Sequence, residues 1–213
     1  MKHRIIVTAG NTWSPLDSVR VITNIFSGET GLGIAYQLAK KGFKVKLILG
    51  DIRTDLKKYR HKNISILRAL TYKKFYHTVK TEVKKRKYSA IIHSAAVSDY
   101  QVSTPFLGKI KSSRQLNLSL NPTKKIVDRI KKWDKRIILI KFKLEANINK
   151  KELFKRALKS KKQSGADLVI ANAMPFKKNH GFYVIKSKKH FKKISGKEKL
   201  AKFLAAIFST ELK

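Results

Sequence analysis

The sequence predicts an α/β fold, a Rossmann-like, mostly parallel sheet with flanking helices. Apolar runs of strand length alternate with stretches of helical period along all 213 residues, the pattern of parallel strands joined by crossover helices. The 42% hydrophobic fraction is that of a globular chain, whereas a disordered basic protein would be poor in Ile, Leu and Phe. No internal repeat or low-complexity linker interrupts the pattern, so one domain spanning 1–213 is expected.

Strands are expected at 4–8, 44–49, 64–67, 90–95, 137–142 and 167–171, with a late strand at 183–186. Helices are expected at 31–41, 72–86, 122–132, 150–162 and 197–208. In the first helix Ile34, Ala35, Leu38 and Ala39 recur at helical spacing, and Gly42 stands where a C-terminal cap belongs. The segment 101–120 is different: it lacks a long apolar period and carries Pro105 and Gly108. A connection of that length usually has a function. It reads as a flap after the fourth strand, with a short strand of its own at 116–120.

Composition narrows the chemistry. With no cysteine there is no disulfide, no thiolate nucleophile and no cysteine-based metal or iron–sulfur site. The start, Met1-Lys2-His3-Arg4 into Ile5-Ile6-Val7-Thr8, is too short an apolar stretch for a signal peptide, and no window approaches the ~18 apolar residues of a membrane span. A cytoplasmic protein without a membrane partner is expected. The 50 Lys and Arg against 13 Asp and Glu leave +37, enough for non-specific polyanion binding at low salt. Those cations are scattered, as at Lys57-Lys58, Lys131-Lys132 and Lys188-Lys189, whereas a nucleic-acid binder gathers them on one element with interleaved aromatics. Lysine-rich solvated faces account for the scatter. The alternative, a basic nucleic-acid-binding α/β protein without catalysis, requires tight RNA or DNA binding with a steep salt dependence.

The first strand runs into Thr8-Ala9-Gly10-Asn11-Thr12, whose small residues let backbone N–H groups approach an anion. Alone, this could be an ordinary turn. Its neighbour, Asn24-Ile25-Phe26-Ser27-Gly28-Glu29-Thr30-Gly31, feeds a helix N-terminus, where free N–H groups and the helix dipole favour a phosphate or carboxylate. Two such turns in one crossover point to a nucleotide or another phosphorylated small molecule. A dinucleotide fingerprint would stand directly after the first strand as G-x-G-x-x-G. Here Gly28, Gly31 and Gly33 come later and in the order G-x-x-G-x-G, which disfavours an NAD(P)-dependent reductase.

Several separated motifs together carry a family resemblance. Val7-Thr8-Ala9-Gly10-Asn11-Thr12, Pro15, Asp17, Val19-Arg20, Ile22-Thr23-Asn24, Ser27-Gly28 and Gly31 resemble the opening of phosphopantothenate-cysteine ligase, the synthetase of coenzyme A biosynthesis. His93-Ser94-Ala95-Ala96-Val97-Ser98-Asp99-Tyr100, Lys109-Ile110-Lys111-Ser112-Ser113 and Asn121-Pro122 are similar to its later signatures. Phe142-Lys143-Leu144-Glu145 and the run from Ala166 to Asn172 complete the order, over nearly the whole chain.

The resemblance implies ligation of 4'-phosphopantothenate to L-cysteine through an acyl-nucleotidylate made from CTP, or from ATP as in eukaryotes, with Mg²⁺ on the triphosphate. Such a reaction needs cations and N–H donors around developing charge, not a protein nucleophile. It implies catalytic roles for Lys109, on the flap against the triphosphate, and for Asn24, which would hold the acyl intermediate. Gly10, Ser94, Ala95, Asp99, Lys109, Pro122 and Phe142 would line the nucleotide, and Asn11, Asn24, Ser27 and Gly28 the other substrate. Two nucleotide-contacting lysines of the family's helix before the last core strand fall on Lys159 and Lys162 in one register and on Ser160 and Ser164 in another. No metal ligands are assigned. A free-standing synthetase needing no flavin, and a homodimer whose flaps cover the partner's site, are further implications. Departures from the pattern are Asn11 for a second glycine, Glu29 for a basic residue, and Ala173 for an acidic one.

Overall fold

The structure is a computed structural model that describes residues 3–113, 115–174 and 181–211. Met1 and Lys2 of the N-terminal lead, and Arg114 within the expected flap, lie outside the described residues.

In chain order the strands are β1 (Arg4–Ala9), β2 (Ser14–Pro15), β3 (Val21–Ile22), β4 (Lys44–Leu49), β5 (Ile64–Arg68), β6 (Ala90–His93), β7 (Tyr100–Val102), β8 (Leu120–Pro122), β9 (Ile138–Ala146), β10 (Leu168–Met174), β11 (Gly181–Ile185) and β12 (Phe191–Ser195). The helices are α1 (Glu29–Lys40), α2 (Tyr72–Lys84), α3 (Val127–Trp133), α4 (Lys150–Ser164) and α5 (Lys197–Glu211). Eight strands form one sheet in the order β12-β11-β10-β9-β6-β1-β4-β5. All pairings from β10 to β5 are parallel, and β11 and β12 add an antiparallel edge. The Rossmann-like expectation holds. Strand order reverses between β1 and β6, the place where open α/β sheets bind ligands.

Side-chain alternation along the strands builds the two faces. Ile5, Val7 and Ala9 of β1 join Leu32, Ile34 and Leu38 of α1 and Leu200, Leu204 and Phe208 of α5 in one core. Ile6 joins Ile48, Ile91 and Leu139 on the other face, beneath Phe75, Val79 and Val83 of α2 and Ile130 of α3. The amphipathic α4 lays Leu153 and Ala157 on Val169 and Ala171. Phe75 and Phe208 are fully buried, a location where truncation to Ala costs about 3–5 kcal/mol. Side-chain caps start two helices: Thr71 accepts from the Lys74 N–H, and Asn149 from the Glu152 N–H, each worth about 1 kcal/mol.

Three details differ from the sequence expectation. Pro122 does not open the third helix; it closes β8 opposite Tyr100, and the helix begins at Val127. The flap's own strand is Leu120–Pro122 rather than 116–120, because pairing with β7 is available only at the flap's base. The edge strand β12 was not anticipated, since its pattern buries only Ile194 and so lacks an apolar run.

Gly10 has φ +80°, and a Cβ there would stand 2.5 Å from the backbone oxygen of Asp51. Gly42 has φ +92° but open space around it. Gly42→Ala is therefore expected to cost only the left-handed backbone penalty, about 1–2 kcal/mol. Gly10→Ala should cost at least twice that, because backbone must also move. Urea unfolding of the two variants measures the difference, and equal losses would contradict the close approach at Gly10.

Candidate functional site

Of the predicted site residues, Gly10 and Asn11 follow β1 and Ser94, Ala95 and Asp99 follow β6, and backbone pairing beyond the strand ends ties these two loops and the loop after β4 together. The Asn11 N–H donates to the Asp51 carbonyl and the Asp51 N–H returns to that of Asn11, both at 2.8 Å. On the other side the Ala96 N–H donates to the Gly10 carbonyl at 2.9 Å. The chain after β1 is thus wedged between the loops following β4 and β6. The N–H groups of Asn11, Thr12 and Trp13 all donate to protein carbonyls, of Asp51, Ala96 and Leu70. Within the turn at 8–12, the Asn11 and Thr12 N–H groups are therefore taken up by strand extension, which leaves fewer donors for an anion than the sequence reading expects.

Anion-ready donors lie instead at the next loop. Residues 23–28 cross the sheet edge, tied by the Thr23 hydroxyl to the Thr12 carbonyl (3.1 Å) and by the Asn24 amide to that of Ala96 (2.9 Å). The Ser27 carbonyl accepts from the Arg53 N–H (3.1 Å) and the Thr54 hydroxyl (3.0 Å). Gly28 caps α1 at φ +81° without a side-chain cap, and a Cβ on it would meet Ile52 at 2.5 Å. The Thr30 and Gly31 N–H groups in the first turn have no acceptor within the helix. Glu29, the anion where a cation was expected, is held by Lys197 of α5 at 2.6 Å. Its charge is offset by a partner 168 residues away.

Asn11 is wholly buried. Its amide donates to the Phe26 carbonyl at 2.6 Å, and its Oδ1 has no partner among the described residues. The side chain therefore braces the loop at 23–28 from below. Asn24 is half-buried, and with its Nδ2 bound to Ala96 its Oδ1 is the atom left for a substrate.

At the end of β6 the Thr8 hydroxyl accepts from the Ala95 N–H at 3.1 Å and bonds His93 Nδ1 at 3.0 Å. Burial, with Lys141 adding, pushes the His93 pKa down to about 4, so the ring is neutral at pH 7. Ser94 and Ala95 are partly open above this pair, and Asp99 is exposed. The Asp99 carbonyl accepts from the Thr123 N–H at 2.8 Å, which hooks the segment after β8 to the site.

The flap follows β6, the fourth strand of the large sheet, as predicted. The carboxylate of Asp17 clamps its base, accepting from the backbone N–H groups of Val19 (2.9 Å), Arg20 (2.7 Å) and Ile110 (3.0 Å) and from the Arg20 guanidinium. Burial alone would raise its pKa, but these donors outweigh it and hold the group at about 2. The Arg20 guanidinium also reaches the Ile110 carbonyl. Lys109 stands one residue before this clamp and is exposed.

Phe142 is half-buried on the α1 and α5 face of β9. On α4, Lys159 and Lys162 are exposed, whereas Ser160 and Ser164 turn inward. Lys141 is instead the buried cation of this region: its Nζ donates to the Ser160 hydroxyl (2.8 Å) and carbonyl (3.1 Å). Sequence reading missed it because one lysine among 50 basic residues carries no signal. Two surface hollows, of about 450 and 290 Å³, lie by β5 and at the N-terminal ends of β1 and β4, away from these residues.

Comparison with known proteins identifies relatives of the chain and of its fold. The chain is 35% identical over 171 residues to the coenzyme A biosynthesis bifunctional protein CoaBC of Thermococcus kodakarensis, covering 80% of this chain and 41% of that protein. The protein of the same name from Methanocaldococcus jannaschii is 31% identical over 209 residues, covering 92% and 48%. The chain thus spans less than half the length of these relatives. The crystal structure of the DNA/pantothenate metabolism flavoprotein from Streptococcus pneumoniae superposes with a TM-score of 0.86 at 28% identity, over 99% of each chain. A family model matches residues 1–209, and the chain belongs to that family, the DNA/pantothenate metabolism flavoprotein C-terminal domain.

Proposed function

We propose that the chain is a phosphopantothenate-cysteine ligase that forms its amide through an acyl-nucleotidylate made from CTP or ATP. The observation that carries this reading is the Asn24 loop tied to Ala96 beside the Ser94–Ala95 edge at the sheet's switch point, with the flap that bears Lys109 anchored at Asp17. Family membership and the coenzyme A biosynthesis relatives support it.

In the first step a carboxylate oxygen of 4'-phosphopantothenate attacks the α-phosphorus, and pyrophosphate leaves with the bonding electrons. Lys109 offers an ammonium to the charge gathering on the leaving group. In the second step the cysteine amine attacks the acyl carbon, an amide forms, and the nucleoside monophosphate departs as the amine gives up its proton. Asn24, fixed through Nδ2, presents Oδ1 to that amine. Ser94, Ala95, Asp99, Pro122 and Phe142 form the nucleotide's shelf. Gly10, Ser27 and Gly28 bring backbone close to the substrates, with Asn11 bracing them. Among the described residues no group of three His, Cys, Asp or Glu could hold a resident metal. In this reading Mg²⁺ would arrive on the triphosphate, and the exposed Asp99 is the carboxylate that could face it.

Leu107, Phe106, Leu116, Leu118 and Leu120 of the flap are exposed, and so are Val19, Val21 and Ile22 of the adjoining hairpin. Exposed apolar side chains on two adjoining segments suit an interaction surface. It supports a homodimer in which flaps and hairpins meet.

Incubation with 4'-phosphopantothenate, cysteine, Mg²⁺ and either CTP or ATP should release pyrophosphate, and the faster nucleotide gives the base preference. No release with either would overturn the reading. Lys109→Gln is expected to slow release by about 100-fold or more with unchanged unfolding. Asn24→Ala should still release pyrophosphate in a first turnover but lose amide formation by about 100-fold, so that acyl-nucleotidylate accumulates in quenched reactions. Asp17→Asn, which removes a charged acceptor from the flap's base, should speed tryptic cleavage after Lys109 and Lys111. An unchanged cleavage rate would mean the clamp does not order the flap.

A further inference from the structure

A buried polar row crosses the sheet at its C-terminal edge. Thr8 of β1 is in register with His93 of β6, and His93 with Lys141 of β9. Residues in register on neighbouring parallel strands share a face, so the three side chains stand side by side under α2, α3 and α4. All three are nearly inaccessible, Lys141 at 4% exposure. Thr8 and His93 satisfy one another. Lys141 does not close the row in the same way: two of its three N–H groups go to Ser160, and the third has no acceptor among the described residues.

No carboxylate among the described residues lies within ion-pair distance of the Lys141 ammonium. The titratable and charged groups that face it are His93 from β6, Asp128 from α3, Lys125 from the segment before α3, and Lys143 from its own strand; α4 presents only Ser160. Asp128 is drawn aside by Gln163, at 2.6 Å, and Lys143 by Glu145, at 2.9 Å. Burying an ammonium without a counter-ion is costly enough that such groups normally neutralise or find an anion. Burial lowers the Lys141 pKa to about 8, with Lys143 and Lys125 adding to the effect and Asp128 opposing it. The position is telling as well. Lys141 adjoins His93, which leads into Ser94 and Ala95, and the Lys125 segment above it is hooked to Asp99 through Thr123.

We propose that Lys141 is a nucleotide-binding residue of this chain, the fixed cation that accepts the anionic part of the nucleotide from beneath the sheet edge, with Ser160 as the residue that orients it. This inference rests on the ligase reading for its ligand class. It assigns to a strand lysine the electrostatic role that the family resemblance placed on α4 at Lys159 and Lys162 in one of its two registers, and both of those lysines are exposed.

An anion beside an ammonium of depressed pKa raises that pKa, so binding must take up protons near the free value and weaken as the pH climbs past it. Calorimetric titration of the full chain with Mg-CTP and with Mg-ATP, at about pH 7, 8 and 9 and in two buffers of different ionisation enthalpy, reads both effects. The wild type is expected to bind one nucleotide with uptake of about half a proton near pH 8. Lys141→Met should bind about tenfold or more weakly at neutral pH and take up no proton. Lys141→Arg, which stays charged, should lose the pH dependence while retaining affinity at high pH, and Ser160→Ala should weaken binding less than Lys141→Met. Circular dichroism and urea unfolding confirm that the variants are folded; should Lys141→Met fail to fold, Lys141→Arg carries the test alone. Proton uptake unchanged in Lys141→Arg, or affinity unchanged in a folded Lys141→Met, would overturn the assignment and leave the ligase reading intact. Failure of the wild type to bind either nucleotide would overturn both.

Discussion

The site depends on β1 outrunning its own strand. Two hydrogen bonds between Asn11 and Asp51 and one from Ala96 to Gly10 fix the residues after β1 between two loops that would otherwise be free to separate. The loop at 23–28 is tied to Thr12 and Ala96 on one side and to Arg53 and Thr54 on the other. The close approaches at Gly10 and Gly28 follow from the same crowding: a Cβ on Gly28 would press on the Gly10 backbone, and a Cβ on either glycine would meet Ile52. A side chain at either position would push the loop off the sheet edge. Backbone pairing, which is insensitive to the surface charge of the chain, sets the geometry on which the proposed chemistry relies.

Much of the fold was legible because its signals are local and strong. The period of Ile34, Ala35, Leu38 and Ala39 marked α1, and the apolar runs marked the parallel strands that both faces bury. What was not legible depends on pairing between distant segments. β2, β3 and β7 are two or three residues long and exist because a partner strand is present, not because their residues prefer extension. β9 continues to Ala146, past the apolar run that predicts it, because β10 pairs with it along that length. Pro122 looked like a helix start because proline suits the first turn, yet it suits the end of a short strand at a flap's base equally well.

The site was legible as motifs but not as roles. The turn at 8–12 looked like an anion cradle because its small residues permit close approach, and sequence cannot say whether a donor is free. Glu29 looked like a misplaced charge because Lys197, its partner, is remote in sequence. Asp17 stood within a motif without any sign that its carboxylate reaches Ile110 across the flap. Lys141 had no signal at all, since strand position and burial become visible only once α4 is laid over β9.

The charge of this chain gives its few acids unusual structural weight. With 13 acidic residues against 50 basic ones, almost any carboxylate has a cation within reach, and most surface ion pairs of that kind add little stability. Several acids, however, are placed where two elements must be joined. Asp17 joins the hairpin to the flap, Glu29 joins α1 to α5, and Glu145 joins β9 to α4 through Arg156. Asp167 accepts the Leu139 N–H and pairs with Lys131, coupling the start of β10 to β9 and α3. At these joints one anion satisfies donors from both sides, so its removal would leave like charges or unpaired N–H groups facing each other across the seam. Lys141 is the reverse case, a cation set inside the fold with Asp128 acting on it but no carboxylate within ion-pair distance among the described residues. On the proposal that Lys141 binds nucleotide, the counter-charge this buried lysine lacks at short range arrives with the ligand.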